Sequence, residues 1–340
     1  MGIRAVHGRH AVTMPWPRRA DHPAYGATLR RDHLDQYLRD QAVAAGATVL
    51  MGHEASAPIV ERGFVRGAEL EGDRPAVHAR FVVVADGANS TFGRALGTTR
   101  QRQWPYGITT RTYFESPRHA ESWLETELAI AGPNGDPVTG YGWVAPLRDG
   151  TVNVGVAVSS TYREARAVHV LKLLDAFAAD IAARWQIDPT APLKAPTRFR
   201  VPVGGSVGPK MGPTFLLAGD AAGMASPLNG DGVDAALMTG RLAADVLHEA
   251  LTSGNSTALQ RYPGLVAAEV GEHHRVARLA LRFLGRPLVL RAALRAGLGS
   301  ERVAGAALRV ATNELRADDP AGAERAYAVA RAISKLAPAW

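Results

Sequence analysis

The residues best suited to chemistry lie in Leu216-Leu217-Ala218-Gly219-Asp220-Ala221-Ala222-Gly223 and in Ser226-Pro227-Leu228-Asn229-Gly230-Asp231-Gly232 just after it. An apolar run stops at a carboxylate, passes through a turn-rich loop, and resumes with a helical pattern. A carboxylate at a strand end can hold sugar or polyol hydroxyls. The small residues around Asp220 let a flat ligand approach the main chain. The helix start that follows offers N–H groups and a positive dipole end to an electron-rich ring edge. That combination suits a flavin nucleotide. Gly230-x-Gly232-x-x-Ala235 also fits a G-x-G-x-x-A spacing. The strand ends near Gly219, however, so the spacing reads as a flavin-edge loop and not as a pyrophosphate cradle.

Two further segments have the same character. Arg31-Asp32-His33-Leu34-Asp35 opens a helical pattern, where Arg31 could reach a ribityl or phosphate oxygen. Val84-Ala85-Asp86-Gly87-Ala88-Asn89-Ser90 ends an apolar run at a second carboxylate, Asp86. Each has a plainer alternative: Asp86-Gly87 as a turn, Arg31 as a surface residue. Other chemistries are excluded by composition. There are no cysteines, hence no disulfide, thiolate metal site or cysteine nucleophile. The eleven histidines are scattered and no HExxH occurs, so no metal site is expected. No Walker A sequence is present.

The elements that would position these residues can be read from periodicity. Residues 32–45 predict a helix, with Leu34, Tyr37, Leu38, Gln41 and Ala42 at the expected spacing, Asp32 as its cap and Gly46 as its end. Residues 47–51 predict a strand. The apolar run 80–85 predicts a buried parallel strand, followed by a short helix through Leu96. Alternation across 151–158, with 106–114 and 140–158 as a whole, predicts antiparallel strands in a separate inserted sheet. Pro133-Asn134-Gly135-Asp136-Pro137 is a turn signal. A helix over 162–187 and a strand over 197–203 follow. Residues 231–251 predict a helix with Val233, Leu237, Gly240, Ala244 and Leu247 on one face. From Ala258 onward the chain reads as helices broken at Gly285-Arg286-Pro287, Gly297-Leu298-Gly299 and Asp318-Asp319-Pro320. The expected organisation is α/β. Residues 1–100 would give part of a cofactor domain and 101–200 a substrate domain. Residues 201–252 would return to the cofactor domain, and 253–340 would form a helical region.

With 340 residues, 46% of them hydrophobic, the chain can bury a large core, and its length suggests two domains. No apolar run reaches the length of a transmembrane helix, and residues 1–17 lack the apolar stretch of a signal peptide. With no cysteines as well, a cytoplasmic location is expected. The net charge is +7, and from Gly271 to Trp340 twelve Arg/Lys face six Asp/Glu. Arg275, Arg278, Arg282, Arg286, Arg291 and Arg295 occur with no acid among them, interleaved with Leu279, Phe283, Leu284, Leu288 and Leu290. Such a segment can lie on the inner, anionic face of a membrane as a peripheral contact; the alternative is a solvated helix face. No nucleic-acid module accompanies the charge, so no nucleic-acid partner is expected.

Taken together, Arg31-x-x-Leu34-Asp35, the Asp86-Gly87 turn, and Gly219-Asp220-Ala-Ala-Gly223 with Pro227-Leu-Asn-Gly-Asp-Gly232 resemble the FAD-binding p-hydroxybenzoate hydroxylase-like fold of flavoprotein monooxygenases. Within that fold, Tyr141-Gly142-Trp143-Val144-Ala145-Pro146 and Asp149-Gly150-Thr-Val-Asn153-Val-Gly155 resemble the geranylgeranyl reductase family, its menaquinone reductase branch above all, from about Tyr25 to at least Leu247. The resemblance implies FAD as cofactor and reduction of an isoprenoid C=C bond in a polyprenyl lipid, such as a menaquinone side chain or a geranylgeranyl group. NAD(P)H is a candidate electron donor.

The resemblance also implies roles for individual residues. Asp220, in the loop shaped by Gly219 and Pro227, would bind ribityl or ribose hydroxyls. Gly230, Asp231 and Gly232 would present N–H groups to the flavin pyrimidine edge, favouring its reduced, negative state. Arg31 would sit beside the cofactor. Asp86 and Gly87 would lie near the pyrophosphate or the nicotinamide approach. Tyr141 and Trp143 would line the lipid slot, with Tyr141 a proton-donor candidate by residue type; their alternative is an aromatic core pair. The same fold also serves flavin hydroxylases of small aromatic substrates, and a truncated, inactive flavoprotein is a third reading.

Two departures from the family pattern stand out. Ala145 occupies a position usually aromatic in the family, which implies a wider slot or a different substrate. The opening βαβ unit with G-x-G-x-x-G is missing, and the first residues match a point inside the family's first domain. The expectation is an uncovered sheet edge near 81–85 or 216–219 and weak FAD binding by the polypeptide as it stands. A start codon placed too late is the simpler account of the missing unit.

Overall fold

A computed structural model of the chain describes residues 2–8, 10–16, 25–128, 130–131, 138–315 and 322–336. In chain order the elements are strands β1 (Gly2–His7) and β2 (His10–Met14), helix α1 (Arg31–Ala44), strands β3 (Ala55–Glu61), β4 (Phe64–Leu70), β5 (Val77–His78) and β6 (Val82–Val84), and helix α2 (Thr91–Ala95). Strands β7 (Thr99–Arg100), β8 (Tyr106–Glu115), β9 (Trp123–Glu127), β10 (Gly140–Pro146) and β11 (Thr151–Ser159) lead to helix α3 (Val170–Trp185). Strands β12 (Thr197–Pro202), β13 (Val207–Gly208) and β14 (Phe215–Leu217) precede helices α4 (Val233–Ser253), α5 (Tyr262–Val266), α6 (Glu272–Leu284), α7 (Pro287–Leu298), α8 (Glu301–Ala311) and α9 (Gly322–Leu336). The chain forms two compact units. One gathers residues 1–49, 108–199 and 281–330, the other 50–107, 200–280 and 331–340. Compactness thus groups residues 1–49 with the sheet unit, a division different from the functional one expected from sequence.

The first unit is built on a seven-stranded sheet ordered β12-β8-β11-β10-β9-β1-β2. The alternation over 151–158 forms the antiparallel strand β11, paired with β10 in the register Tyr141↔Ala157, Trp143↔Gly155 and Ala145↔Asn153. Successive side chains point to opposite faces. Val152, Val154, Val156 and Val158 are buried to 0–1% exposure on one face. There α3 packs through Phe177, whose ring fills the space a Cβ at Gly142 would need, 2.6 Å away. On that face the Glu125 carboxylate also accepts from Trp185 Nε1 at 2.8 Å. The opposite face carries Tyr141 and Trp143. It continues through Thr126, which pairs with Trp143, to Ala5 and Val12. Here Ala304 and Leu308 of α8 close over Ala5, Val12 and Met14.

The second unit centres on β6 and β14, a parallel pair in the register Phe215↔Val82, Leu216↔Val83 and Leu217↔Val84. Among the described residues these two strands form a sheet of their own. Val84, Leu216 and Leu217 pack with Phe92, Leu242, Ala243, Val246 and Tyr262 in one core. Ser90 caps α2 by accepting the Gly93 N–H at 2.9 Å, as the turn signal predicts.

Several sequence expectations are corrected. Arg30, not Asp32, occupies the N-cap of α1, and no residue of α1 is buried. Asp32 sits in the first turn, bound to Arg30 at 2.7 Å. Residues 47–51 form no strand and are exposed, because no strand lies beside them among the described residues. The helix expected over 162–187 begins only at Val170, where the His169 ring accepts the Lys172 N–H; turns occupy the segment before it. The face of α4 expected to be apolar is the outer one: Val233 and Leu237 are exposed, while Ala235, Thr239, Leu242, Ala243 and Val246 are buried. The turn at 133–137 and the break at 318–320 lie outside the described residues.

Candidate functional site

In the second unit, the Ala218 N–H donates to the Val84 carbonyl at 3.0 Å, extending the β6–β14 pairing by one rung. Asp86 and Gly219-Asp220 therefore leave the carboxyl ends of two neighbouring parallel strands, the edge where open α/β sheets take their ligands. Gly219 adopts φ +56, a conformation that favours glycine. Its N–H donates to Thr239 Oγ1 at 2.9 Å, and that hydroxyl donates to the Ala235 carbonyl at 2.7 Å. A Cβ at Gly219 would lie 3.1 Å from the Ala236 Cβ, so α4 approaches the strand end through small residues only. Tyr262 supports the same corner by donating to the Leu217 carbonyl at 2.7 Å. Burial pushes its phenol up to about 12.

The loop after the Gly219–Ala222 turn is closed by its own main chain. Ser226 N–H donates to the Asp231 carbonyl at 2.8 Å and Gly230 N–H to the Ser226 carbonyl at 3.0 Å. Asp231 N–H donates to Asn229 Oδ1 at 3.0 Å, and Asp231 Oδ1 accepts the Val233 N–H at 3.1 Å. Pro227 is buried within the loop. The loop delivers Gly232 to the N-cap of the 21-residue helix α4. A Cβ at Gly232 would sit 3.0 Å from Asp220 Oδ1. A carboxylate, a loop whose main chain comes close against it, and the positive end of a long helix thus occupy one place. These are features that fit the polyol and the electron-rich ring edge of a flavin nucleotide. On the adjoining strand, Asp86 Oδ2 accepts the Phe92 N–H at 3.3 Å and so helps cap α2. A Cβ at Gly87 would meet nothing within 4 Å, leaving an open approach beside Asp86.

In the first unit, the Tyr141 and Trp143 rings lie 5.8 Å apart, tilted by 49°. Both are partly exposed. Trp143 Nε1 donates to Asn153 Oδ1 at 2.8 Å, and Asn153 Nδ2 donates to the Thr112 carbonyl at 3.2 Å. The indole lies across Gly155, where a Cβ would be 2.1 Å from its Cζ2. The pair is therefore held in place yet open on one face, unlike a closed core pair. Ala145 is 7% exposed and buried beside Asn153, so the missing aromatic opens no gap at that position.

The structure brings Asp86, Gly87, Gly219, Asp220, Pro227, Gly230, Asp231 and Gly232 into the second unit and places Arg31, Tyr141 and Trp143 in the first. Arg31 is occupied by an exposed pair with Asp35 at 3.0 Å. Its neighbour Arg30 pairs with Asp32 at 2.7 Å, lies 5.5 Å over the Tyr113 ring and is 3.6 Å from Asp149. Sequence reasoning missed Thr239 and Tyr262, which support the Gly219 corner. A buried threonine four residues after Ala235 was the one signal available for Thr239. His273 and His274, adjacent in sequence, are both buried. Burial pulls the His273 ring down to about 4; burial, with help from nearby cations, pulls His274 to about 3. Among the described residues, no group of side chains could hold a metal.

Residues 7–265 match the FAD binding domain family. The chain belongs to this family of flavoproteins. Among other members, it is 33% identical to the menaquinone reductase of Mycolicibacterium smegmatis, across 98% of this chain and 80% of that protein. It is 31% identical to digeranylgeranylglycerophospholipid reductase 1 of Methanopyrus kandleri, across 76% of this chain and 68% of that protein. A solved geranylgeranyl bacteriochlorophyll reductase-like protein from Thermoplasma acidophilum superposes with a TM-score of 0.70 at 25% identity, covering 84% of this chain and 70% of that one. The flavin-dependent brominase Bmp2 shares the fold at 16% identity and a TM-score of 0.67, covering 98% and 81%. FAD is the cofactor of this FAD binding domain family, and the Asp220–Gly232 corner has the chemistry to receive its flavin end.

Proposed function

We propose that the chain is an FAD-dependent oxidoreductase that reduces an isoprenoid C=C bond of a polyprenyl lipid, with a menaquinone side chain or a geranylgeranyl group as substrate class. The observation that carries this reading is the contact of Asp220 with Gly232 at the carboxyl ends of paired parallel strands, in a chain one-third identical to a menaquinone reductase. FAD, when bound, supplies the hydride. Asp220 holds ribityl or ribose hydroxyls, and the N-terminus of α4 with the Gly230–Gly232 main chain favours negative charge at the ring edge it faces. Asp86 and Gly87 border the pyrophosphate or the nicotinamide approach, with NAD(P)H the candidate donor, and Arg31 flanks the cofactor.

An unactivated alkene gives no stabilised carbanion, so placement of the bond carries most of the catalytic burden. Tyr141 and Trp143 supply that placement, Trp143 fixed by Asn153. The Tyr141 hydroxyl is the candidate proton source for the second alkene carbon. The lipid is met at a membrane surface through the basic segment that begins at Arg275. No helix among the described residues is long and apolar enough to cross a membrane.

Incubating the protein with saturating FAD, a reductant and menaquinone tests the proposal. A product heavier by two hydrogens supports it. Oxygen consumption with a hydroxylated small aromatic product would favour the hydroxylase reading instead.

A further inference from the structure

Helix α7 is apolar on two sides. Leu290 and Leu294 face inward and are buried. On the other side Leu288 is 79% exposed, and Val289 is exposed as well, as are Ala292, Ala293 and Ala296. The only charged residues of α7 are Arg291 and Arg295, one turn apart and both exposed. Just before it, the corner presents Phe283 (46% exposed) with Arg286 stacked 5.6 Å from its ring, and Arg282 is exposed beside them. No acid occurs from Arg275 to Ser300. An ordinary solvated face would carry charges of both signs, with its apolar residues turned inward.

Arg278, earlier in the basic run, is engaged elsewhere. In the other unit, it lies 3.8 Å over the Trp104 ring and donates to the Gly204 carbonyl. The corner itself is fixed to the sheet. Thr139 Oγ1 donates to the Leu284 carbonyl at 3.1 Å and Thr161 Oγ1 to the Leu281 carbonyl at 3.2 Å. A Cβ at Gly285 would be 2.7 Å from the Thr161 carbonyl. Thr139 immediately precedes β10, the strand that carries Tyr141 and Trp143.

We infer that the Phe283–Val289 corner and the outer face of α7 form a membrane-docking wedge. Leu288, Val289 and Phe283 enter the acyl boundary of an anionic bilayer, while Arg282, Arg286, Arg291 and Arg295 bind its headgroups. The inference rests on the lipid-reductase reading. It deepens that reading by naming the surface through which a polyprenyl chain passes from the bilayer toward β10.

The test is co-sedimentation of the full chain with vesicles of phosphatidylglycerol and phosphatidylcholine in equal parts, against phosphatidylcholine alone. Wild type should bind the anionic vesicles and release them at high salt. Leu288→Glu should weaken binding at least tenfold, and Arg291→Glu about fivefold or more, since each basic residue near such a surface contributes about 1 kcal/mol. Val60→Glu, at another exposed apolar position, on β3, should bind as wild type does. Reduction of detergent-solubilised lipid by Leu288→Glu should be unchanged, showing that the variant is folded. Wild type that ignores anionic vesicles, or Leu288→Glu that binds them fully, overturns the inference. A concentration-dependent dimer abolished by Leu288→Glu, without vesicle binding, also overturns it and makes the face an interface between copies. Vesicle binding without lipid reduction would overturn the reductase reading alone.

Discussion

At Gly232 a Cβ would press against Asp220 Oδ1 at 3.0 Å, so any side chain there must push the carboxylate aside. Gly232→Ala should displace the carboxylate and weaken FAD binding about tenfold. Asp220→Ala, which removes charged hydrogen bonds worth about 1.5–3 kcal/mol each, should weaken it about a hundredfold. Titration by flavin fluorescence reads both, and unchanged affinity in Asp220→Ala would remove that residue from the site. Gly155 plays the matching part for Trp143. Gly155→Ala should drive the indole off its seat 2.1 Å away, costing about 1–3 kcal/mol of stability by overpacking. Lipid turnover should fall while flavin affinity stays intact, a split visible by comparing steady-state rates with the same titration. Gly87, Gly219 and Gly230 stand out in the sequence as turn residues, and all three adopt the positive φ that favours glycine.

At the element scale, α4 shows what periodicity conceals. Val233, Leu237 and Gly240 share one face, yet Val233 and Leu237 are exposed, and the buried face carries Ala235, Thr239 and Ala243. Hydrophobicity ranks leucine above alanine, but a helix that must lie against Gly219 needs small residues, and the close contact decides the orientation. Thr239 holds the two elements together through the Gly219 N–H. Thr239→Val leaves that buried donor without its acceptor and should destabilise the protein by about 1–3 kcal/mol. Urea denaturation measures it, and an unchanged midpoint would mean the bond contributes nothing. The strands of the inserted sheet, by contrast, were readable from sequence: one face is packed and the other open, so their period of two survives in the residues. The stretch at 47–51 has strand-like composition, but composition cannot supply a pairing partner.

Across the whole molecule, sequence located the α/β class and the inserted antiparallel sheet. The grouping of residues 1–49 with that sheet was not visible, since it follows from long-range pairing of β1 with β9 and from α8 packing on β2. Stability should depend on pH through His273 and His274. Both fold with their rings pulled down, to about 4 and about 3, from an ordinary value near 6.5. Above pH 6.5 they contribute no pH dependence. Between 6.5 and about 4 the unfolded chain takes up protons the folded one refuses, and stability falls by up to about 1.4 kcal/mol per pH unit for each ring. Thermal melts of His274→Gln should show a shallower acid slope than wild type; an equal slope would contradict that assignment. The account as a whole is tested most directly by mass analysis of menaquinone after anaerobic turnover with saturating FAD and a reductant. The account predicts a lipid that gains two hydrogens in its isoprenoid chain with wild type and not with Asp220→Ala. Unaltered lipid with flavin-loaded wild type, or equal conversion by Asp220→Ala, would contradict it.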